Sequence, residues 1–167
     1  SVTAVYAASD SGATVHCAGI KFDASGEVLE SYEEGEYTPT LTDSQGDVTS
    51  IAMNAGYNTL QYTKIGREVH ISGFIVIASY SGTWQSDGVF TTTLPFAVAG
   101  LTDVYKSVGQ VAAVTGMNAL AGHDFVLEAS EGNSTATFTV NVDNANASTA
   151  QPTTSAQFII SFTYIAA

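Results

Sequence analysis

Between Glu68 and Ala78 the side chains fall into two stripes of period two, the spacing of a β-strand with both faces at least partly covered. Val69, Ile71, Gly73, Ile75 and Ile77 form one stripe; His70, Ser72, Phe74, Val76 and Ala78 form the other. The first is apolar apart from its glycine and is assigned to the core. The second is half polar, which suits a face covered by something less oily than a core, such as another subunit. Whatever fold the chain takes must give this strand a core on one side and a more polar cover on the other.

One domain is enough for that. A chain of 167 residues buries roughly 70% of its unfolded surface, so its core needs no disulfide or metal. Cys17 is the only cysteine and has no Cys/His partner pattern. Ser, Thr, Gly and Ala are abundant, Leu is scarce and only 12% of residues are charged, the composition of extended β-structure with threonine-rich outer faces. Sixteen carboxylates against Lys21, Lys64, Arg67 and Lys106 leave a formal charge of −12. Polyphosphate would be repelled, which excludes nucleic acid as a partner and argues against anionic lipid. No apolar run approaches the roughly 20 residues of a membrane span, and no basic-then-apolar signal follows Ser1, so no membrane insertion is expected. Without an initiator methionine, the chain reads as a soluble piece of something longer.

In chain order, Val2 to Ala8 and Thr14 to Phe22 are short β-compatible runs. From Asp23 to Glu36 six carboxylates lie among Ser and Gly, with Leu29 and Tyr32 as apolar anchors. Their mutual repulsion predicts a solvated connector. Ca²⁺ at this acidic linker is the sharper alternative, although no DxDxDG loop is present; no other cofactor is expected. Residues 1–36 are accordingly read as a connector and 37–167 as the folded domain. Tyr37 to Thr42 starts a strand beside Pro39, at a sheet edge. Further strands are expected at Val48 to Met53 and Tyr57 to Lys64, with Gly66 turning the chain through a positive φ. In Val104 to Thr115 valines recur every three residues, but the segment is too valine-rich for a helix and is read as strand. Phe125, Leu127 and Ala129, then Ala136, Phe138, Val140 and Val142, alternate with polar residues about a turn at Ser130 to Asn133, the clearest hairpin in the chain. Phe158, Ile160, Phe162 and Tyr164 make the inner stripe of a last strand. Nine or ten short strands without a helix predict an all-β antiparallel β-sandwich, jelly-roll-like.

Several phrases also carry a likeness. LESYEEGEYTPTLT at 29–42, YTKIGREVHISGFIVI at 62–77, SGT at 81–83 and TTLPF at 92–96 resemble the C-terminal region of bacteriophage tail fibre and tailspike proteins. Tyr32, Glu33, Glu34, Gly35, Tyr37, Thr38 and Pro39 fill that family's first phrase, with Tyr37 where tryptophan is often found. Tyr62, Thr63, Lys64, Ile65, Gly66, Val69 and Gly73 fill the second, and Leu94, Pro95 and Phe96 the third. The resemblance implies a trimeric β-structured tip on a shaft or enzymatic domain, located in the virion; residues 97–167 match no phrase. An intertwined trimer, in which N-terminal runs add to neighbouring subunits, is the alternative architecture.

Three functional classes follow: a homotrimeric tip that binds bacterial cell-surface polysaccharide, a purely structural trimerisation and folding cap, and a glycan-degrading enzyme. Against catalysis, His16 and Cys17 are adjacent and in a strand point to opposite faces, while His70 and His123 have ready packing or surface roles. No carboxylate pair stands out. The sequons at Asn133 and Asn146 are chance products of a threonine-rich chain. A sugar site needs an aromatic face with amides and carboxylates beside it. The loop Ser79 to Gly88 supplies Tyr80, Trp84, Gln85 and Asp87, with Tyr57 and Asn58 as a second locus. The competing structural role has Trp84 folded back as a lid over the end of the core. His70, Phe74 and Val76 are the candidates for the trimer interface.

Overall fold

A computed structural model describes residues 20–21, 28–29, 31–43, 45–84, 90–100, 106–117, 124–141, 148–149 and 152–167, and within them every regular element is a β-strand and every pairing antiparallel. In chain order these are β1 (Ile20–Lys21), β2 (Val28–Leu29), β3 (Tyr32–Tyr37), β4 (Leu41–Asp43), β5 (Val48–Met53), β6 (Leu60–Ile65), β7 (Glu68–Gly82), β8 (Phe90–Thr93), β9 (Lys106–Met117), β10 (Asp124–Ser130), β11 (Thr135–Asn141), β12 (Ser148–Thr149) and β13 (Pro152–Ile165). Strands β1 and β2 pair with each other. The others form one sheet in the order β3-β6-β7-β13-β9-β10-β11-β8-β4, with β12 added along β11 and β5 along β7.

The stripes of β7 settle its orientation. Val69, Ile71, Ile75 and Ile77 are buried, whereas His70 is exposed and Ser72, Phe74 and Val76 are half-buried. Strand β13 lies alongside in a register that sets Phe158 opposite Ile75 and Phe162 opposite Ile71, so two apolar stripes share the inner face. Burying side chains of this size contributes about 1.5–3 kcal/mol each. The expected hairpin is present as β10 and β11, with Leu127 facing Phe138 and Ala129 facing Ala136. The valine-rich segment is strand β9, not helix.

This sheet cannot be flat. Its path ends at β3 and β4, yet these strands are consecutive in the chain and joined by residues 38–40 alone. Three residues reach about 10 Å, whereas nine strands laid side by side span roughly 40 Å, so the sheet curls until its two edges lie together. The core reports the same curvature. Phe138 of β11 and Phe158 of β13 are separated along the sheet by β10 and β9, yet their rings lie 5.0 Å apart. Phe90 of β8 stacks on Phe138 at 4.5 Å and meets Phe158 at 5.5 Å. Inner faces from distant parts of the path therefore touch across one hydrophobic core.

Three expectations need correction. Residues 32–36 are not connector but belong, with Tyr37, to strand β3, hydrogen-bonded along its length to β6, with Glu34 opposite Thr63 and Glu36 opposite Gln61. An edge strand can carry charge on the side that faces water, so repulsion between its glutamates does not prevent pairing. Secondly, Ser79 to Gly82 belong to β7 and not to a loop, because β5 supplies them with a ladder. Thirdly, the strands outnumber the nine or ten expected, and β7, β9 and β13 run to 15, 12 and 14 residues. The runs Val2 to Ala8 and Thr14 to Phe22 lie outside the described residues, apart from Ile20 and Lys21.

Pairing with β5 also changes the phase of β7. Met53 faces Ile77 and Ala52 faces Ser79, so β7 advances two residues while β5 advances one. Ala78 is the extra residue of a β-bulge. Past it the inward positions move from odd to even numbers, and Tyr80 opposite Ile51 packs towards the core. The strand ends at Gly82, where φ is +107° and the Asp47 carbonyl lies against the Cα, leaving no space for a side chain.

Candidate functional site

The family-like phrases meet at one corner of the sheet. Tyr37 from the first phrase lies edge-on to Tyr62 from the second, at 6.4 Å, and Tyr62 lies edge-on to Phe96 from the third, at 5.2 Å. Lys64 sits 5.5 Å over the Phe96 ring and donates from Nζ to Ser31 Oγ at 3.3 Å. The Tyr164 hydroxyl closes the corner by donating to the Phe96 carbonyl at 2.9 Å and accepting from its N–H at 3.2 Å. Burial pushes this phenol up to about 12, against the opposing effect of the Phe96 backbone. Burial likewise raises Tyr37, whose hydroxyl donates to the Thr93 carbonyl at 3.5 Å. These side chains join strands that are remote in sequence; their chemistry is that of packing.

Of the residues expected at a sugar site, the described ones lie in two places, Tyr80 with Trp84 and Tyr57 with Asn58. Tyr80 and Trp84 are neighbours at 6.1 Å, but Trp84 also packs edge-on against the fully buried Phe90 at 6.0 Å, and both rings lie against the core. The Trp84 Nε1–H is buried without a hydrogen-bond partner. This is the geometry of the lid. Gln85 and Asp87 lie outside the described residues. Tyr57 and Asn58 occupy a separate turn, where Tyr57, 53% exposed, stands edge-on to Phe74 at 5.4 Å on the outer side of β7. The bulge at Ala78 is what sends Tyr80 to one face of the strand while Phe74 and Tyr57 stay on the other.

A groove that the sequence reading passed over lies at the edge formed by β3 and β6. It encloses about 420 Å³ and is lined by Glu34, Gly35, Glu36, Gln61, Tyr62 and Thr63, three consecutive residues from each strand. Gly35 leaves room for the Tyr62 ring, since a Cβ there would come within 2.8 Å of the phenol oxygen. The Tyr62 hydroxyl then reaches the Glu33 carboxylate at 2.7 Å, and that hydrogen bond is the main cause raising the phenol's pKa. On the outer face Glu36 accepts from Gln61 Nε2 at 3.3 Å and Glu34 accepts from the Tyr32 hydroxyl at 2.7 Å. Tyr32 is 61% exposed, its ring anchored by the hydroxyl and open to solvent. An exposed aromatic, two carboxylates, an amide and a hydroxyl thus gather on one face, and each keeps hydrogen-bonding capacity beyond the contacts named. The sequence signal was the tyrosine at either end of YEEGEY, obscured by the charge between them.

Beside the groove the same outer face continues over β6, β7 and β13. Its rows are Thr63, His70 and Thr163; Gln61, Ser72 and Ser161; then Phe74 with Ile159 and Val76 with Gln157. His70 Nδ1 shares a hydrogen bond with Thr163 Oγ1 at 2.9 Å. Ile159 is 44% exposed, and Ile65 at the corner is similarly open. Glu68 alone brings charge to these three columns. His16, Cys17, His123 and the acidic residues 23–27 and 30 lie outside the described residues. Among those described, no three His, Cys, Asp or Glu side chains group closely enough to hold a metal ion. Comparison with protein family models, curated proteins and solved structures finds no match to this chain.

Proposed function

We propose that this chain is the tip of a bacteriophage tail fibre or tailspike, a jelly-roll-like β-sandwich carried on the virion as a homotrimer that binds bacterial surface polysaccharide without cleaving it. One observation carries the reading: a groove rich in hydrogen-bonding groups, with an exposed tyrosine, adjoins a nearly uncharged sheet face on a chain of formal charge −12. Copies that approached by the β3 edge would bring carboxylates together; over β7 and β13 they meet threonine, serine, isoleucine and phenylalanine. Tyr32 offers its ring to the C–H face of a pyranose, and Glu34, Glu36, Gln61 and Thr63 address the hydroxyls. The groove takes the role that the sequence alone had suggested for Tyr80, Trp84, Gln85 and Asp87.

The test combines light scattering with adhesion. The chain should scatter as a trimer at micromolar concentration and bind cells of a susceptible host or their extracted polysaccharide. Tyr32→Ala should weaken adhesion at least about tenfold, a loss of roughly 1.4 kcal/mol, with trimer mass and melting temperature unchanged. A trimer without adhesion to any host would leave the structural cap, and a stable monomer would remove the assembly.

A further inference from the structure

The groove between β3 and β6 is lopsided in what it can exchange with a ligand. Its carboxylates only accept hydrogen bonds, each having about four lone-pair sites. Of the neutral donors around them, the Tyr32 hydroxyl is engaged with Glu34 and the Tyr62 hydroxyl with Glu33, and Gln61 Nε2 gives one of its two hydrogens to Glu36; the second Gln61 hydrogen and the Thr63 hydroxyl are the neutral donors left to a ligand. Neither Lys64 nor Arg67 turns towards the groove. Lys64 points its ammonium at Ser31 and the Phe96 ring on the inner side, and Arg67 donates from Nε to the Ala166 carbonyl at 3.0 Å. Glu34 and Glu36, two residues apart on one strand, stand on the same face with Cα atoms roughly 7 Å apart, the scale of one sugar ring. Open capacity on this face is therefore mostly acceptor and negative.

We infer that the groove selects a saccharide bearing free amines, protonated at neutral pH, over a neutral one, and rejects sugars bearing carboxylate or phosphate. The inference rests on the glycan-binding reading and adds the charge class of the ligand. An ammonium brings three donors and a positive charge to a place where acceptors outnumber donors, and charge-assisted hydrogen bonds are roughly twice as strong as neutral ones. N-acetylation removes the charge and two of the donors. A uronate would set a third negative charge beside Glu34 and Glu36, and neither Lys64 nor Arg67 is turned to neutralise it.

Calorimetric titration of the full chain with three oligosaccharides of equal length tests this: a glucosamine oligomer, its N-acetylated counterpart and a galacturonate oligomer. Affinity should fall in that order. The variant Glu34→Gln/Glu36→Gln should weaken the glucosamine oligomer by about tenfold or more and move the N-acetylated one by no more than about twofold. A charge-matched control, Asp47→Asn/Glu131→Gln, neutralises two exposed turn positions elsewhere and should leave the order and both affinities unchanged. Galacturonate binding as tightly as glucosamine overturns the inference, and so does an equal loss in the charge-matched control, which would show only the long-range field of an acidic protein. Equal binding of the amine and its acetylated form overturns the selectivity while keeping a sugar site. If none of the three binds, the glycan-binding reading falls with it.

Discussion

Tyr164 shows how much a single side chain settles here. It closes the inner stripe of β13, lies 2% exposed, stacks on Phe162 at 5.5 Å and bonds the Phe96 backbone twice through one oxygen. Tyr164→Phe should keep the ring packing and leave both Phe96 groups without their partner, destabilising the fold by about 1–3 kcal/mol in denaturant titration. The same residue sets a pH dependence. Its folded pKa, about 12, lies above the ordinary tyrosine value of 10.0, so the folded state holds the proton more tightly. That stabilisation is complete below pH 10 and is lost as pH rises through 12. Melting temperature should therefore fall across this window in the native chain, and fall less steeply in Tyr164→Phe, where the raised Tyr37 remains as a source of alkaline sensitivity. Identical slopes in the two proteins would show that Tyr164 is not the titrating group.

Among the elements, the bulge in β7 makes an unusual deletion tolerable. Ala78 is the extra residue, so removing it restores a plain alternation in which Ile77 and Tyr80 still face inwards, at the cost of an ordinary single change, about 1 kcal/mol. Removing Val76 instead puts the bulge out of step with β13 and turns Ile77 outwards, and that chain should fail to fold; circular dichroism and soluble yield separate the two outcomes. Trp84→Ala belongs at this scale too, since the ring covers Phe90 beyond the strand's end. It should cost about 2–4 kcal/mol in urea and leave adhesion per folded molecule unchanged, because the proposed sugar groove lies elsewhere. Adhesion lost without loss of stability would return the ligand to Trp84.

These elements also show what the amino-acid order could and could not disclose. Strands β7, β10, β11 and β13 were legible because each places large apolar side chains at every second position against a single core. The bulge was not, since Ala78 and Ser79 differ in no way that marks one as extra. Ser79 to Gly82 are too polar to announce a strand, and only β5, some thirty residues earlier, makes them one. Strand β3 was hidden for the opposite reason: an edge strand need bury little, and its three glutamates outweighed two tyrosines. The groove was missed with it, because it exists only once 34–36 and 61–63 lie side by side.

For the whole molecule, the outer face of β7 and β13 is the one proposed to bring copies together. Ile159 stands open there opposite Phe74, so Ile159→Glu should convert the proposed trimer to monomers in sedimentation at micromolar concentration, with the circular dichroism of the fold retained. A variant that stays trimeric would place the contact on another face. The curled sheet has one more consequence, in time rather than in space. The inner half of the molecule is closed by pairing β7 with β13, and Ile75 meets Phe158 roughly 80 residues downstream. At about 5–20 residues per second, a ribosome leaves the isoleucine-rich strand waiting roughly 4–16 s for its neighbour. Throughout that interval an apolar strand with an open edge is accessible to any similar strand on a nearby nascent chain. Yield on expression should therefore depend more on chaperone supply and growth temperature than the stability of the finished fold would suggest.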